Sequence, residues 1–400
     1  MKNRELKGEM IVLLALGAGV SVSTLYYAQP MLSVIREDLN TNISTTSLIP
    51  SLTQMGYAIG IFFLAPLGDR YDRKNIISTK LILLILALIA SFFAKDISVL
   101  IGASFIIGLM ATAAQDFVPA AAILSKEQSR GKSVGMVMTG LLLGILLSRV
   151  LSGAVSEKYG WRVVYVIGAA SIFILLAFSH KYLPNFKPTT DASYKHLMKS
   201  LIVLWKKHSD LRHAAIQQAI LAVAFSAFWS TLAIMLNDRY QLGPMMAGAF
   251  GVAGAAGTMA APIAGRLSDK YGPQNISLIG TVIGVLFFAL LFLINFISKD
   301  LQIVLLIVSA VGFDFGIQTC LISHQTIVYG IDINARSRLN AILMSGMFIG
   351  MSIGAWLGGY LYGYCGIMGL AILATASCFL VLILKIISLS LITETKIVKK

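Results

Sequence analysis

The chain has 400 residues, of which 57% are hydrophobic and 12% charged, and its formal net charge is +14. A mean hydropathy of +0.81 excludes a string of soluble globular domains and points to a bilayer. The excess of Lys and Arg lies in short segments between long apolar runs, which excludes nucleic acid as its reason and fits a membrane protein instead.

Crossing ~30 Å of hydrocarbon takes about 20 apolar residues as a helix, which satisfies its own backbone there. Twelve such windows follow in chain order, near residues 10–32, 46–65, 75–93, 99–124, 134–155, 163–178, 214–236, 245–264, 276–297, 301–323, 339–361 and 366–389. The start MKNRELKGE shows no small-residue cleavage site, so the first window is read as a retained span. With both termini cytoplasmic, the segments on that side hold 25 Lys or Arg and the opposite segments 6. That bias fixes the orientation. Cys320, Cys365 and Cys378 show no metal spacing and read as small apolar residues.

The longest polar interval, His180 to Arg212, carries Pro184, Pro188 and seven basic residues and divides the windows six and six. Within it, YKHLMKSLIVLWKKH reads either as an amphipathic helix on the anionic inner leaflet or as a solvated basic linker. The expected organisation is a six-helix bundle over 1–180, a cytoplasmic loop over 181–211 and a second six-helix bundle over 212–400.

The halves repeat each other. LGDRYDRKNII after the second window matches GRLSDKYGPQNI after the eighth, placing Asp69 and Asp269 in corresponding loops 200 residues apart. Arg130, Gly140 and Gly144 correspond to Arg336, Gly346 and Gly350 at an offset of 206. Duplicated halves suit alternating access, in which one half rocks on the other around a central site.

The loop Ala65, Pro66, Leu67, Gly68, Asp69, Arg70, Tyr71, Asp72, Arg73, Lys74 resembles the signature of the major facilitator superfamily, with Asp72 in place of the usual Gly. The second copy keeps Gly265, Leu267, Asp269, Lys270 and Gly272 and has Pro273 and Gln274 in place of the basic pair. The segments YYAQP, SLTQMGYAIGIFFLAPLGDR, GLLLGILLSRVLSG and ARSRLNAILMSGMFIG resemble bacterial drug:proton antiporters of that superfamily. The resemblance implies the major facilitator fold: an all-α membrane protein with twelve transmembrane helices in two pseudo-symmetric six-helix bundles. It also implies a conformational latch made by Asp69, Arg73 and Asp269, in which the Asp approaches the helix start at Ser337 to Asn340. A helix N-terminus favours an anion. Such antiporters carry Gly-x-x-x-Gly-Pro-x-x-Gly-Gly in the fifth helix; here Gly140 and Gly144 stand, but Ile145, Ser148 and Arg149 replace the Pro and the paired Gly.

Charges inside the windows are Asp116, Arg149 and Asp314, with His324 near a helix end. Each costs a few kcal/mol at mid-bilayer unless it faces a cavity or a partner. Arg149, ~22 Å along the fifth helix by residue rise, reads as a cavity cation for an anionic group or as a side chain snorkelling to the outer interface. Asp314, close to mid-depth in GFDFGIQ with Gln318 one turn away, is the first candidate for proton coupling. Asp116 in AAQDFVP is either a second proton site or a partner of Arg73 in the latch. His324 reads as a structural group at a helix C-terminus. Tyr26, Gln29, Gln54, Gln115, Gln217 and Trp229 are expected to line a substrate cavity with Arg149 and Gln318, as are Tyr27 and Phe225.

The sequence holds no His-Glu-x-x-His, no nucleotide-binding Gly-rich loop and no Cys/His cluster, so it reads as neither an enzyme nor a cofactor or metal protein. The function expected is a secondary active transporter of the bacterial cytoplasmic (inner) membrane. It would export small amphipathic molecules (drugs, siderophores or metabolites) by proton-coupled antiport, working as a monomer. Two alternatives stand beside it: a proton-coupled importer of a small anionic nutrient, and a non-transporting membrane sensor.

Overall fold

The computed structural model describes residues 8–188, 190, 192–332 and 335–397. Of the basic residues counted above, Lys2, Arg4, Lys7, Lys399 and Lys400 lie outside the described residues. Among the described residues every regular element is helical, and nine helical runs are long and apolar enough to cross a membrane. The chain forms two compact units, residues 1–203 with 232–252, and residues 204–231 with 253–400.

The first unit begins with α1 (Gly8–Ser23), α2 (Leu32–Asp38), α3 (Ile43–Thr46) and α4 (Leu48–Leu64). It continues through α5 (Leu67–Arg70), α6 (Arg73–Phe92), α7 (Ile97–Ala111), α8 (Ala114–Leu124), α9 (Arg130–Tyr159) and α10 (Trp161–Tyr182). The central interval forms α11 (Tyr194–Lys207), which buries Leu197 and Leu201. The long α12 (Ser209–Tyr240) begins in the second unit and ends in the first, where α13 (Pro244–Phe250) also belongs. The second unit is completed by α14 (Ala255–Tyr271), α15 (Pro273–Ala289), α16 (Lys299–Tyr329) and α17 (Arg336–Ile397).

The twelve apolar windows map unevenly onto these helices. The first is interrupted between α1 and α2, where Pro30 lacks the N–H that an unbroken helix needs and the chain turns through i to i−3 bonds such as Tyr26 N to Ser23 O, 3.0 Å. The eighth is split between α13 and α14. The last two share α17, divided at Gly366, whose φ of 58° and ψ of −150° are not helical. Gly160, between α9 and α10, has φ 85° and precedes Gly366 by the same 206 residues that separate the repeated glycines. Only glycine takes such angles without strain.

Small residues bring helices together at matching places in both units. In the first, a Cβ on Gly140 would lie 2.6 Å from Ala15 O, and one on Gly144 would strike the backbone of Gly19. In the second, Gly346 faces Ala215 and Gly350 faces Ala219. Ala215 and Ala219 follow Ala15 and Gly19 by 200 residues, so the duplication extends to helix-on-helix packing. Leu86, Phe173 and Leu286 are each more than half exposed, an outward apolar surface that suits lipid.

At one end of the first unit, Arg162 donates to Asp38 at 2.6 Å and to Ala94 O at 3.0 Å, while the Trp161 indole donates to Asp38 at 3.1 Å. Arg36 grips Asp238 through two hydrogen bonds, 2.6 and 3.0 Å long.

Candidate functional site

In the first unit, the break after α1 turns Tyr26 and Gln29 toward α9. Arg149 Nε donates to Gln29 Oε1 at 3.0 Å, and its guanidinium carbon lies 5.0 Å from the centre of the Tyr26 ring. Arg149 is 6% exposed; its head lies against these two residues, a hydrogen bond and a cation–π contact holding a buried cation. Gly251 sits where a Cβ would come within 3.1 Å of the Arg149 stem. Deeper in the unit, Gln115 Nε2 donates to Tyr57 Oη at 2.9 Å, and Gln54 is buried nearby in sequence on α4.

The opening of α6 gathers charge. Asp72, which replaces the usual Gly of the loop, caps α6 by accepting from Lys74 N at 2.9 Å, and accepts also from Phe186 N at 3.0 Å. Gly272, at the corresponding position before α15, has φ 85° and makes no side-chain cap; Pro273 follows it at the start of that helix. Arg73 Nη1 lies 3.2 Å from Asp116 Oδ1, and Lys80 Nζ lies 2.7 Å from Asp116 Oδ2. Arg73 also reaches Asp69 at 3.6 Å and donates to Gly68 O at 3.1 Å. Arg73, Lys80 and Asp116 are each at most 4% exposed. The helical run breaks before Pro119, between α7 and α8, so Asp116 stands in the first turn of α8, where the helix dipole favours an anion. Both carboxylate oxygens of Asp116 are thus committed to cations.

In the second unit, Trp229 on α12 donates its indole N–H to Asp314 Oδ1 on α16 at 3.1 Å, both residues being 3% exposed. Around them Phe313 stacks on Phe288 with ring centres 4.2 Å apart and meets Phe228 edge-on at 4.8 Å. Phe225 lies 6.4 Å from both Trp229 and Phe313. Gln318, one turn beyond Asp314, packs with it on Gly257, whose missing Cβ would lie 3.1 Å from Gln318 Cγ and 3.4 Å from Asp314 Cβ. Gln217 is buried on α12 away from this group, and Asp269 is exposed on α14 without an ion pair to any described residue.

The structure therefore joins Arg149 to Gln29 and Tyr26, Asp314 to Trp229 and Gln318, and Asp69 through Arg73 to Asp116. Sequence reasoning missed Lys80 and Lys385, which fall among the 25 Lys and Arg assigned to the cytoplasmic side; both are buried. The signal was available, since each lies inside an apolar window, and Lys80 follows Arg73 by two helical turns on one face. His324, read as a structural group at a helix C-terminus, is 1% exposed and lies five residues before the end of α16. Cys320 and Cys378 are buried and Cys365 is exposed.

The family model described as Major Facilitator Superfamily matches residues 14–328. The transporter YgaY of Escherichia coli is 32% identical over 348 residues, covering 87% of this chain and 87% of that protein. The multidrug resistance protein MdtG of Salmonella arizonae is 26% identical over 270 residues, 65% of each. Among solved structures, the nucleoside transporter NupG superposes with a TM-score of 0.77 at 12% identity, covering 94% of this chain and 99% of that one. The peptide transporter POT in complex with alafosfalin superposes with a TM-score of 0.76 at 14% identity, covering 96% of both. These likenesses, with the apolar helices and the duplicated packing, make the chain a multi-pass integral membrane protein, and it belongs to the Major Facilitator Superfamily of transporters.

Proposed function

We propose that this chain is a secondary active transporter that exports small amphipathic molecules in exchange for protons, by alternating access. The observation that carries this reading is Asp314, a carboxyl group buried halfway along α16 against the Trp229 indole and a cluster of phenylalanines. A carboxyl group in apolar surroundings is cheap to bury when protonated and attracts a cation when it is not. Aromatic walls suit the apolar part of such a cargo. The 26% likeness to a protein named for multidrug resistance supports export.

In this reading residues 1–180 and 212–400 are two six-helix halves joined by a cytoplasmic segment, with twelve crossings and both termini inside a bacterial cytoplasmic membrane, and the monomer is the working unit. Asp69, Arg73 and Asp269 belong to the machinery that holds one conformation, Asp116 to its support.

A second reading keeps the fold and reverses the direction. Arg149, held by Gln29 and Tyr26, is a buried cation able to receive a carboxylate, which favours a proton-coupled importer of a small anion. Purified protein in liposomes with an imposed pH gradient, challenged with dyes, antibiotics, amino acids, siderophores and sugars, separates the readings. Export predicts that a cationic or neutral amphipathic cargo accumulates in everted vesicles on energisation; import predicts uptake of an anion by right-side-out vesicles. Cargo binding without cargo-dependent proton flux would overturn both and leave a sensor.

A further inference from the structure

The second unit contains a buried basic pair that has no part in the reading above. Lys385 on α17 is 5% exposed, and His324 on α16 and Gln218 on α12 are each 1% exposed. Lys385 Nζ lies 2.7 Å from Ser277 Oγ and 3.1 Å from His324 Nε2, while His324 Nδ1 lies 2.9 Å from Gln218 Oε1.

The direction of each bond follows from the chemistry of its atoms. Ser277 Oγ donates its hydrogen to Gln274 O at 2.9 Å, so it accepts from Lys385. An amide oxygen can only accept, so His324 Nδ1 carries a hydrogen and donates it to Gln218. That leaves the lone pair of Nε2 pointing at the Lys385 amine. Reversing the Gln218 amide would move the imidazole hydrogen to Nε2 and set it against the Lys385 donors, two donors face to face.

Among the described residues the surroundings offer no anion. From α12 comes Gln218, from α15 Ser277 and Thr281, from α16 Cys320 and His324, and α17 itself carries Cys378; Cys320 donates its thiol to Ser277 O at 3.2 Å. Among the described residues no Asp or Glu pairs with Lys385. A buried ammonium without a counter-ion is costly, and two cations 3.1 Å apart would be costlier still.

We propose that Lys385 and His324 form a one-proton binding site in the second unit, separate from Asp314. With the proton bound, the pair holds a single positive charge, and the proton lies on Lys385 Nζ or crosses to His324 Nε2, leaving the Nδ1–H to Gln218 bond unchanged in both positions. With the proton released to water, Lys385 is a neutral amine that still donates to Nε2, and the pair is neutral. A second proton is refused by charge repulsion. Asp314 is ten residues earlier on α16, about 15 Å by helical rise. One helix thus carries two sites at different levels, one passing between neutral and negative and the other between positive and neutral. This inference needs no cargo and stands whether the protein exports or imports.

The test is nitrogen-15 NMR of the full chain in lipid nanodiscs, labelled at Lys and His, from about pH 5 to 10. Signals are assigned by their loss in Lys385→Met and His324→Gln. The expected result is one step with a shared midpoint at Lys385 Nζ and His324 Nε2, with Nδ1 staying protonated throughout. In Lys385→Arg, whose guanidinium does not release its proton, the step at His324 disappears, while the four other histidines titrate as before. Two separate midpoints, a titrating Nδ1, a step that persists in Lys385→Arg, or no step at all would overturn the proposal. Should His324→Gln fail to fold, the comparison of wild type with Lys385→Arg decides by itself.

Discussion

Trp229 and Asp314 meet inside the second unit through one hydrogen bond of 3.1 Å, the indole N–H donating to the carboxyl oxygen. Because Asn keeps an oxygen at that place, Asp314→Asn preserves the bond and the packing while removing the titratable group. The variant is expected to insert and fold normally but to lose uphill, pH-driven accumulation, with exchange of cargo surviving. Trp229→Phe removes the donor and keeps the aromatic stack, costing about 1 kcal/mol of stability and only part of the activity. Accumulation in proteoliposomes with a pH gradient checks both. Undiminished proton-coupled accumulation by the Asn variant would move the coupling role elsewhere.

Arg149→Met keeps most of the apolar stem and removes the head that lies on Gln29 and Tyr26. Gln29 Nε2 already has no hydrogen-bond partner among the described residues, and the substitution leaves its Oε1 without Arg149 as well, so a loss of about 1–3 kcal/mol in stability is expected. Transport should fall at least about tenfold if the head binds cargo, an effect of more than ~1.4 kcal/mol. A variant that loses stability but transports at the wild-type rate per folded molecule would reduce Arg149 to a packing role.

Gly144 against Gly19 and Gly350 against Ala219 are the same contact made twice. Gly144→Leu and Gly350→Leu should each lower the thermal midpoint and cost about 1–3 kcal/mol by overpacking. Gly131, with open space around its Cβ position, is the control: Gly131→Ala should be neutral or slightly stabilising. Thermal unfolding in detergent reads all three. Equal midpoints for Gly144→Leu and wild type would mean that the helices can separate there at no cost.

Sequence revealed what depends on period, composition and spacing. The apolar windows, the duplicated Asp69 and Asp269 and the repeated glycines were legible because each is a local pattern or a fixed offset. Asp314 and Arg149 were legible because a charge stands out in an apolar run. Lys80 and Lys385 were overlooked although each lies inside a window, because a cation near a window's end looks the same whether it reaches water or turns inward. Their partners lie far along the chain: Asp116 is 36 residues from Lys80, and Ser277 is 108 from Lys385. Gln218 was passed over for Gln217, though one residue turns a helical side chain by about 100° and only Gln218 meets His324. The interruption of the first span at Tyr26 to Gln29 was also hidden, since an apolar run with one Pro does not say where the helix yields.

Asp38 offers a pH test outside the spans. The hydrogen bond from Arg162 holds its carboxyl below the usual carboxylate range, the Trp161 indole adding to this and burial opposing it. A carboxyl group depressed on folding stabilises the protein above its unfolded pKa of ~3.9 and loses that contribution as pH falls through the lower folded value. Asp38→Asn should therefore cost no more than about 1 kcal/mol near neutrality, since the pair is partly exposed to solvent, with side chains 34% and 45% accessible. The gap from wild type should close below roughly pH 4. Thermal midpoints of both proteins measured across that range check the sign; a gap that widens in acid would contradict it.

Asp116 holds two buried cations, and this makes its removal different from that of Asp314. Asp116→Asn leaves Arg73 and Lys80, each 4% exposed, without their shared anion. Breaking a buried ion pair in this way costs about 3–5 kcal/mol, so the variant should lose much of its thermal stability or fail to insert. Lys80→Met leaves Arg73 and Asp116 as a balanced pair and should cost clearly less, although it removes the shortest contact of the three. The order of stability, wild type above Lys80→Met above Asp116→Asn, follows from charge balance and not from distance. If Asp116 instead carries the transported proton, Asp116→Asn will fold as stably as the wild type and lose only pH-driven accumulation, so unfolding and transport measured on the same preparation separate a charge-balancing carboxylate from a proton carrier.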